Sequence, residues 1–363
     1  MRIPGTWTEP RRCVPAVLLT ALLTELTGCA AGAWSSSDRA ANVSAASLSD
    51  GVETPAPGAL TSVPVTHRSW QFGGTSGQVI TTPHYRVFTT LTRHSILDRL
   101  PLFLERALAH YRTALAPLPE PGARLDTYLF ESRGQWEAKT RQMLPRQAAT
   151  FLTLGRGGFT TRGTSVLYYI GRKDTLSIAA HEGWHQFSQE TFRSQLPLWM
   201  EEGIATYMEG YTSHPDGLPR FRPWLNLERF HTLRDAVRAD RLLSLDDLLS
   251  RTPQSFLTES KNELLIYYAQ AWVLTHFLAE GQGGRYRDAL REVLLDAVRG
   301  RLAVKSLGRR GGPGSVRLGS AVLTAYFDTD LDAFEQAYLQ FVRSVVRTGG
   351  RDRVIQGRSP AAP

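Results

Sequence analysis

Two histidines four residues apart, in the run His181-Glu182-Gly183-Trp184-His185, constrain this chain more than any other feature. On an α-helix, residues four apart differ by about 40° around the axis, so both imidazoles point the same way and can grip one cation. Glu182 flanks that face, where it can take a proton from water held by the ion. The neighbouring residues predict the helix. Asp174 or Thr175 can cap its start, and Leu176, Ala180, Trp184 and Phe187 make an apolar stripe for core packing. With nine histidines in 363 residues, the pattern arises by chance in roughly one such chain in a hundred. A surface helix with two solvated imidazoles is the plainer alternative. It fits poorly with a helix this apolar, because histidines in apolar surroundings cost stability unless they are bonded or metallated.

Two histidines do not complete a metal centre; a third protein donor is needed, with a fourth position left open. Beyond Phe192 the chain reads Leu196-Pro197-Leu198-Trp199-Met200-Glu201-Glu202-Gly203-Ile204-Ala205-Thr206, and Pro197 starts a second helix. Glu201 and Glu202 lie about 100° apart around it, so only one can turn inward, and spacing does not choose between them. Thr206, one turn on from Glu202, is a candidate outer partner for a ligand histidine, or else a solvated threonine.

The segments HEGWHQF and LPLWMEEGIATYME resemble the peptidase MA-like gluzincins, in particular a bacterial group of proteins of unknown function with an HExxHQ signature. The resemblance implies a zinc metallopeptidase. Trp199, Glu202, Gly203 and Ala205 match its W-x-x-E-G-x-A segment, which makes Glu202 the third Zn²⁺ ligand beside His181 and His185, with Glu182 as general base. Glu201 is then a bystander or a substrate contact. Tyr267-Tyr268-Ala269-Gln270-Ala271-Trp272 is similar to the gluzincin helix whose tyrosine hydroxyl stabilises the oxyanion, and alignment on Ala271 selects Tyr268 over Tyr267. As a core aromatic, Tyr268 would look the same. The G-x-M-E-N segment of aminopeptidases is absent, which favours endopeptidase action on a peptide or protein substrate. The strand Ser165–Ile170 could pair with an extended peptide. A non-hydrolytic binding or scaffold lipoprotein on the same fold, or a hydrolase of cell-wall cross-links, are the rival readings; the intact ligands and base favour hydrolysis.

The first 28 residues read as a lipoprotein signal peptide. Arg2, Arg11 and Arg12 precede an apolar run, Cys13 to Thr24, too short to span a bilayer, and Leu26-Thr27-Gly28-Cys29 resembles a lipobox. Lipidation at Cys29 would place the protein in the cell envelope, anchored to the outer membrane or cell surface. The only other cysteine, Cys13, lies in the removed segment, so neither a disulfide framework nor a thiolate metal cluster can form. The net charge is +8, but only four of 42 basic residues are lysine and the arginines are scattered rather than striped, so no nucleic-acid partner is expected.

Residues 29–66, rich in Ala, Ser and Pro, read as a flexible tether. Residues 67–150 read as a small α/β layer: strands at Tyr85–Thr90 and Leu125–Phe130, helices at Ile96–Leu115 and Arg133–Met143. Residues 151–347 read as the zincin-like domain. A Gly-rich turn and a strand open it, and helices follow at Thr175–Phe192, Pro197–Glu209, Leu227–Ala239, Leu245–Leu249, Glu263–Leu278, Arg285–Val298 and Leu331–Val346. Arg299–Arg317 reads as a solvated insertion and 348–363 as a disordered tail. The expected fold class is α+β, a small sheet-bearing layer ahead of a mainly helical part.

Overall fold

The computed structural model of the protein describes residues 61–361 apart from 93, 154–156, 215–216, 303–314 and 328–329. The signal peptide, Cys29, most of the tether, Gly155 and most of the Arg299–Arg317 insertion lie outside the described residues.

The architecture is α+β: a six-stranded sheet formed by the first part of the chain, then a mainly helical part. In β3 (Tyr85–Thr89) the alternate residues Tyr85, Val87 and Thr89 are buried, as are Leu125, Thr127 and Leu129 in β4 (Leu125–Phe130). That period of two is what a strand with one face on a core requires. β3 and β4 pair in parallel, so a crossover must join them, and α1 (Leu100–Tyr111) supplies it. β4 also pairs in parallel with β6 (Thr164–Tyr168).

Two hairpins complete the sheet, and the sequence reading assigned neither. β1 (Thr66–Phe72) and β2 (Thr75–Thr81) are joined by Gly73 and Gly74, with φ of 55° and 81°. β5 (Gly158–Thr161) and β6 are joined by Arg162 and Gly163, with φ of 50° and 71°. Two positive-φ residues between antiparallel strands match the strand twist, and glycine takes that conformation without a Cβ clash. The strand order is β1-β2-β3-β4-β6-β5. The expected peptide-pairing strand is therefore interior: β6 has β4 on one side and β5 on the other, and the edge belongs to β5.

Trp136 of α2 (Arg133–Met143) packs edge-on and Phe151 of α3 (Ala148–Leu152) at a tilt against Phe159 from one face of the sheet, and the Trp136 indole donates to Val166 O. The other face carries α1 and α4 (Arg172–Thr191), the helix of the two histidines. This helix starts three residues earlier than expected, after Gly171 at φ 105°, while the Thr175 hydroxyl accepts from Ile170 N–H. The expected stripe of Leu176, Ala180, Trp184 and Phe187 is buried.

Four hydrogen bonds fix α4 in place. Gln186 donates to Asp126 O on β4 and to Gly163 O in the β5–β6 turn, and accepts from the Thr127 hydroxyl. The Tyr111 hydroxyl of α1 donates to Ala180 O at 2.7 Å. That approach is possible because residue 183 is glycine: a Cβ there would lie 2.5 Å from the Tyr111 hydroxyl oxygen.

The helical part begins with α5 (Leu198–Met208), and a short hairpin of β7 (Tyr211–Ser213) and β8 (Pro219–Phe221) leads to α6 (Leu227–Arg238). There follow α7 (Leu245–Ser250), α8 (Pro253–Glu259), α9 (Lys261–Gly284), α10 (Arg287–Arg299), α11 (Ser315–Phe327) and α12 (Leu331–Val345). α9 is the central post, packed against α5, α6, α8, α10 and α12, and its regular turns end at Gly281. Among the described residues no helix is long and apolar enough to cross a membrane. The expected disorder after residue 348 is corrected: Gly350–Ile355 forms α13, which buries Val354 against α6. One well-placed valine and the close fit of Gly350 under Val345 O outweigh a polar composition.

Gly203 sets the distance between α5 and α9. A Cβ there would sit 2.6 Å from Ala271 O and 2.5 Å from the Thr275 hydroxyl oxygen. Alanine is the better helix former, yet Gly203→Ala is expected to lower stability by about 1–3 kcal/mol through overpacking. Urea unfolding of the purified chain checks this; an unchanged or raised midpoint contradicts it.

Candidate metal centre

His181 and His185 stand one turn apart on α4, and Glu202 comes from the first half of α5, next to Gly203. All three are buried. Their ligand atoms lie within 4.8 Å of one another, and they form the one group of this kind among the described residues. His181 Nε2 is 3.5 Å and His185 Nε2 is 3.6 Å from Glu202 Oε2. These separations exceed an ordinary charge-assisted hydrogen bond. Two donors on a tetrahedral ion with bonds of about 2.1 Å are spaced by about 3.4 Å. His181 Nε2, His185 Nε2 and both Glu202 carboxylate oxygens are buried and have no hydrogen-bond partner among the described residues. Unsatisfied polar atoms of this kind are costly, and a cation at their common point would satisfy them together. Spacing, burial and donor chemistry thus fit a metal ion.

The outer nitrogens of the two histidines are held by different carboxylates. His181 Nδ1 lies 2.7 Å from Glu209 Oε1, and His185 Nδ1 lies 3.0 Å from Glu201 Oε1. An ionised carboxylate only accepts, so each Nδ1 carries the proton and each Nε2 presents its lone pair to the shared point. Glu201 also accepts from the Ser188 hydroxyl. It is therefore neither bystander nor substrate contact. Thr206 is corrected too: it is buried, but its hydroxyl donates to Glu202 O and Gly203 O of its own helix rather than to a histidine. Sequence spacing did not reveal Glu209, which caps the end of α5, a helix turn beyond the predicted partner.

Glu182 points toward the sheet. Its Oε2 accepts from the Thr160 hydroxyl on β5 at 2.7 Å, and Thr160 accepts in turn from Ser165 on β6 at 2.7 Å. Gly158 leaves room for the Leu167 side chain of β6, whose Cδ2 lies 2.2 Å from where a Cβ would be, and Glu182 Cγ is 3.3 Å from the same point. The two tyrosines border different ligands. The Tyr268 ring lies edge-on to His181 with centroids 6.4 Å apart. Tyr267, whose buried hydroxyl has no hydrogen-bond partner among the described residues, is pushed well above its usual pKa by burial and by the Glu202 charge.

Charge balance at the centre follows from these neighbours. Burial disfavours imidazolium, but Glu202 and Glu209 outweigh it and raise His181 above its ordinary value. His185 is raised well above it, with Glu202 and Glu201 overcoming burial. Burial would raise Glu202, yet the two histidines hold it below the usual carboxylate range.

A family profile described as "Protein of unknown function (DUF1570)" matches residues 175–296, a segment that runs from the histidine helix through most of α10 and includes all three convergent residues. No curated protein matches the chain.

Without a metal the raised histidines keep their protons to higher pH, and a cation must displace them. Metal uptake is expected to release protons, with affinity rising about tenfold per pH unit for each proton displaced and levelling off above the histidine values. Chelator competition from about pH 6 to about pH 8 checks this; affinity that is flat across the range contradicts it.

Proposed function

We propose that this protein is a zinc-dependent endopeptidase of the gluzincin type, anchored in the cell envelope by a lipid on Cys29. The observation that carries the reading is the convergence of His181, His185 and Glu202, whose inward atoms have no other partner. Two imidazoles and a carboxylate are a donor set characteristic of catalytic zinc. The similarity of HEGWHQF and of Trp199, Glu202, Gly203 and Ala205 to gluzincin motifs supports the same choice of metal and chemistry.

When bound, zinc supplies Lewis-acid polarisation of the substrate carbonyl and of a water molecule. Glu182 takes the water proton on its carboxylate and passes it to the leaving amine nitrogen, the role of a general base that becomes a general acid. The Thr160 hydroxyl orients that carboxylate through Oε2. Glu201 and Glu209 keep the proton on the outer nitrogen of each histidine. Tyr268 is the hydroxyl assigned to the negative charge developing on the carbonyl oxygen, with its ring already against His181. The substrate is an extended peptide or protein segment. β5, the edge strand beside Glu182, offers it backbone pairing.

Anchoring rests on the lipobox-like Leu26-Thr27-Gly28-Cys29 after a short apolar run. The chemistry proposed would then take place outside the cytoplasm, with the membrane as an attachment surface rather than a medium.

Glu182→Gln is expected to retain about one zinc per chain while losing peptide hydrolysis by about 100-fold or more. Elemental analysis together with cleavage of a diverse peptide library checks both halves; wild-type activity in the variant, or a folded wild-type protein that takes up no zinc, sinks the proposal. Cys29→Ser is expected to abolish incorporation of labelled palmitate and to release the chain from the membrane fraction. Persistent labelling would remove the anchor from the reading.

A further inference from the structure

Arg229 is a buried charge that the chemistry above leaves unused. It lies in the first turn of α6 and is 1% exposed. Its Nη2 is 3.3 Å from Glu209 Oε1, and the guanidinium sits 5.2 Å from the centre of the Tyr268 ring. Its Nε and Nη1 have no hydrogen-bond partner among the described residues. Beside it, Asn226 uses its side-chain oxygen to cap α6 and its Nδ2 to donate to Glu209 Oε2 at 2.6 Å. Both oxygens of Glu209 are thus held from α6, while Oε1 also takes the Nδ1 proton of His181. Glu201, behind His185, has no such cation among the described residues; it is held by His185 and by the neutral hydroxyl of Ser188.

A guanidinium buried against one carboxylate, with two nitrogens unsatisfied, gives poor return in stability. Groups in that position are candidates for a functional role when they lie beside a site. Here the geometry supplies the role. Glu209 sits buried at the end of α5, and its carboxylate is held at both oxygens: Arg229 Nη2 donates to Oε1 and the Asn226 amide to Oε2.

We propose that Arg229 and Asn226 are positioning residues for the metal centre: they lock the Glu209 carboxylate, which fixes the ring orientation and proton position of His181 and aims its Nε2 at the point shared with His185 and Glu202. The inference rests on the metal reading above. It makes α6, which contributes no ligand, a determinant of metal affinity.

The test is zinc affinity of the full chain, measured by competition with a chromophoric chelator. Arg229→Met and Asn226→Ser are each expected to weaken binding by about 10- to 100-fold. Serine retains a helix-capping oxygen, so loss of the cap is not the cause. Arg229→Lys, which returns one donor to Glu209, is expected to recover part of the loss. In a Glu209→Gln background, Arg229→Met is expected to add less than about threefold, because a residue acting through another is not additive with it. A general packing defect would instead lower thermal stability of the zinc-free chain and leave the affinity of the folded fraction unchanged.

A folded Arg229→Met or Asn226→Ser protein with wild-type affinity overturns the proposal, as does a full additive loss in the Gln background. Should Arg229→Met not fold, Asn226→Ser decides alone. If the wild-type chain binds no zinc, this proposal and the metal reading fall together; if wild type binds and the variants bind equally well, only the positioning role falls.

Discussion

The arrangement of this protein turns on four buried polar atoms that have no hydrogen-bond partner among the described residues: the Nε2 atoms of two histidines and both oxygens of Glu202. Burying them costs the bare chain, since they have left water for charge pairings at 3.5 and 3.6 Å rather than for hydrogen bonds. The surrounding structure is what keeps them there. α4 cannot tilt away, because Gln186 ties it to β4 and to the β5–β6 turn while Tyr111 holds it from α1. α5 cannot drift, because it is packed through Gly203 against α9. The two glycines of the motif segments are therefore geometric requirements, one for each helix that carries ligands.

Behind the ligands the two histidines are served unequally. Glu201 follows α5 directly to His185 and shares its oxygen with Ser188 of α4, so that pair is a local affair of two helices. Glu209 is connected through Asn226 and Arg229 to α6, and α6 in turn supports α13 near the end of the described chain. One ligand is braced by its immediate neighbours, the other by a longer chain of contacts reaching the periphery. The family profile ends within α10 and so covers α6 but stops short of α13.

Much of the centre could be read from the sequence because it depends on helical periodicity. The four-residue spacing put His181 and His185 on one face, the apolar stripe predicted burial, and the proline at 197 marked the second helix. The choice of Glu202 over Glu201 needed a resemblance, since a 100° step says which residues differ in direction but not which way the helix is turned. The outer shell escaped for a different reason. Glu209 and Asn226 meet only because a hairpin folds the chain back between α5 and α6, and no local pattern encodes that return. Thr206 had the right spacing for a partner but satisfied its hydroxyl on its own helix, the usual local competitor for a threonine. The two sheet hairpins left a trace in the glycines suited to positive φ, Gly73-Gly74 and Gly163, but Arg162 takes φ 50° with no such signal, and the polar strands β1 and β2 and the four-residue β5 carry too little apolar alternation to stand out from turns.

The order of strands also fixes where the chain enters relative to where its chemistry would be done. The N-terminal segment joins the sheet at β1, and β5 lies five strand spacings away at the opposite border. At about 4.8 Å per spacing, the two borders are separated by about 24 Å. Anything held through the residues ahead of β1 would therefore present β5, and the Thr160 hydroxyl that holds Glu182, on the flank away from its attachment.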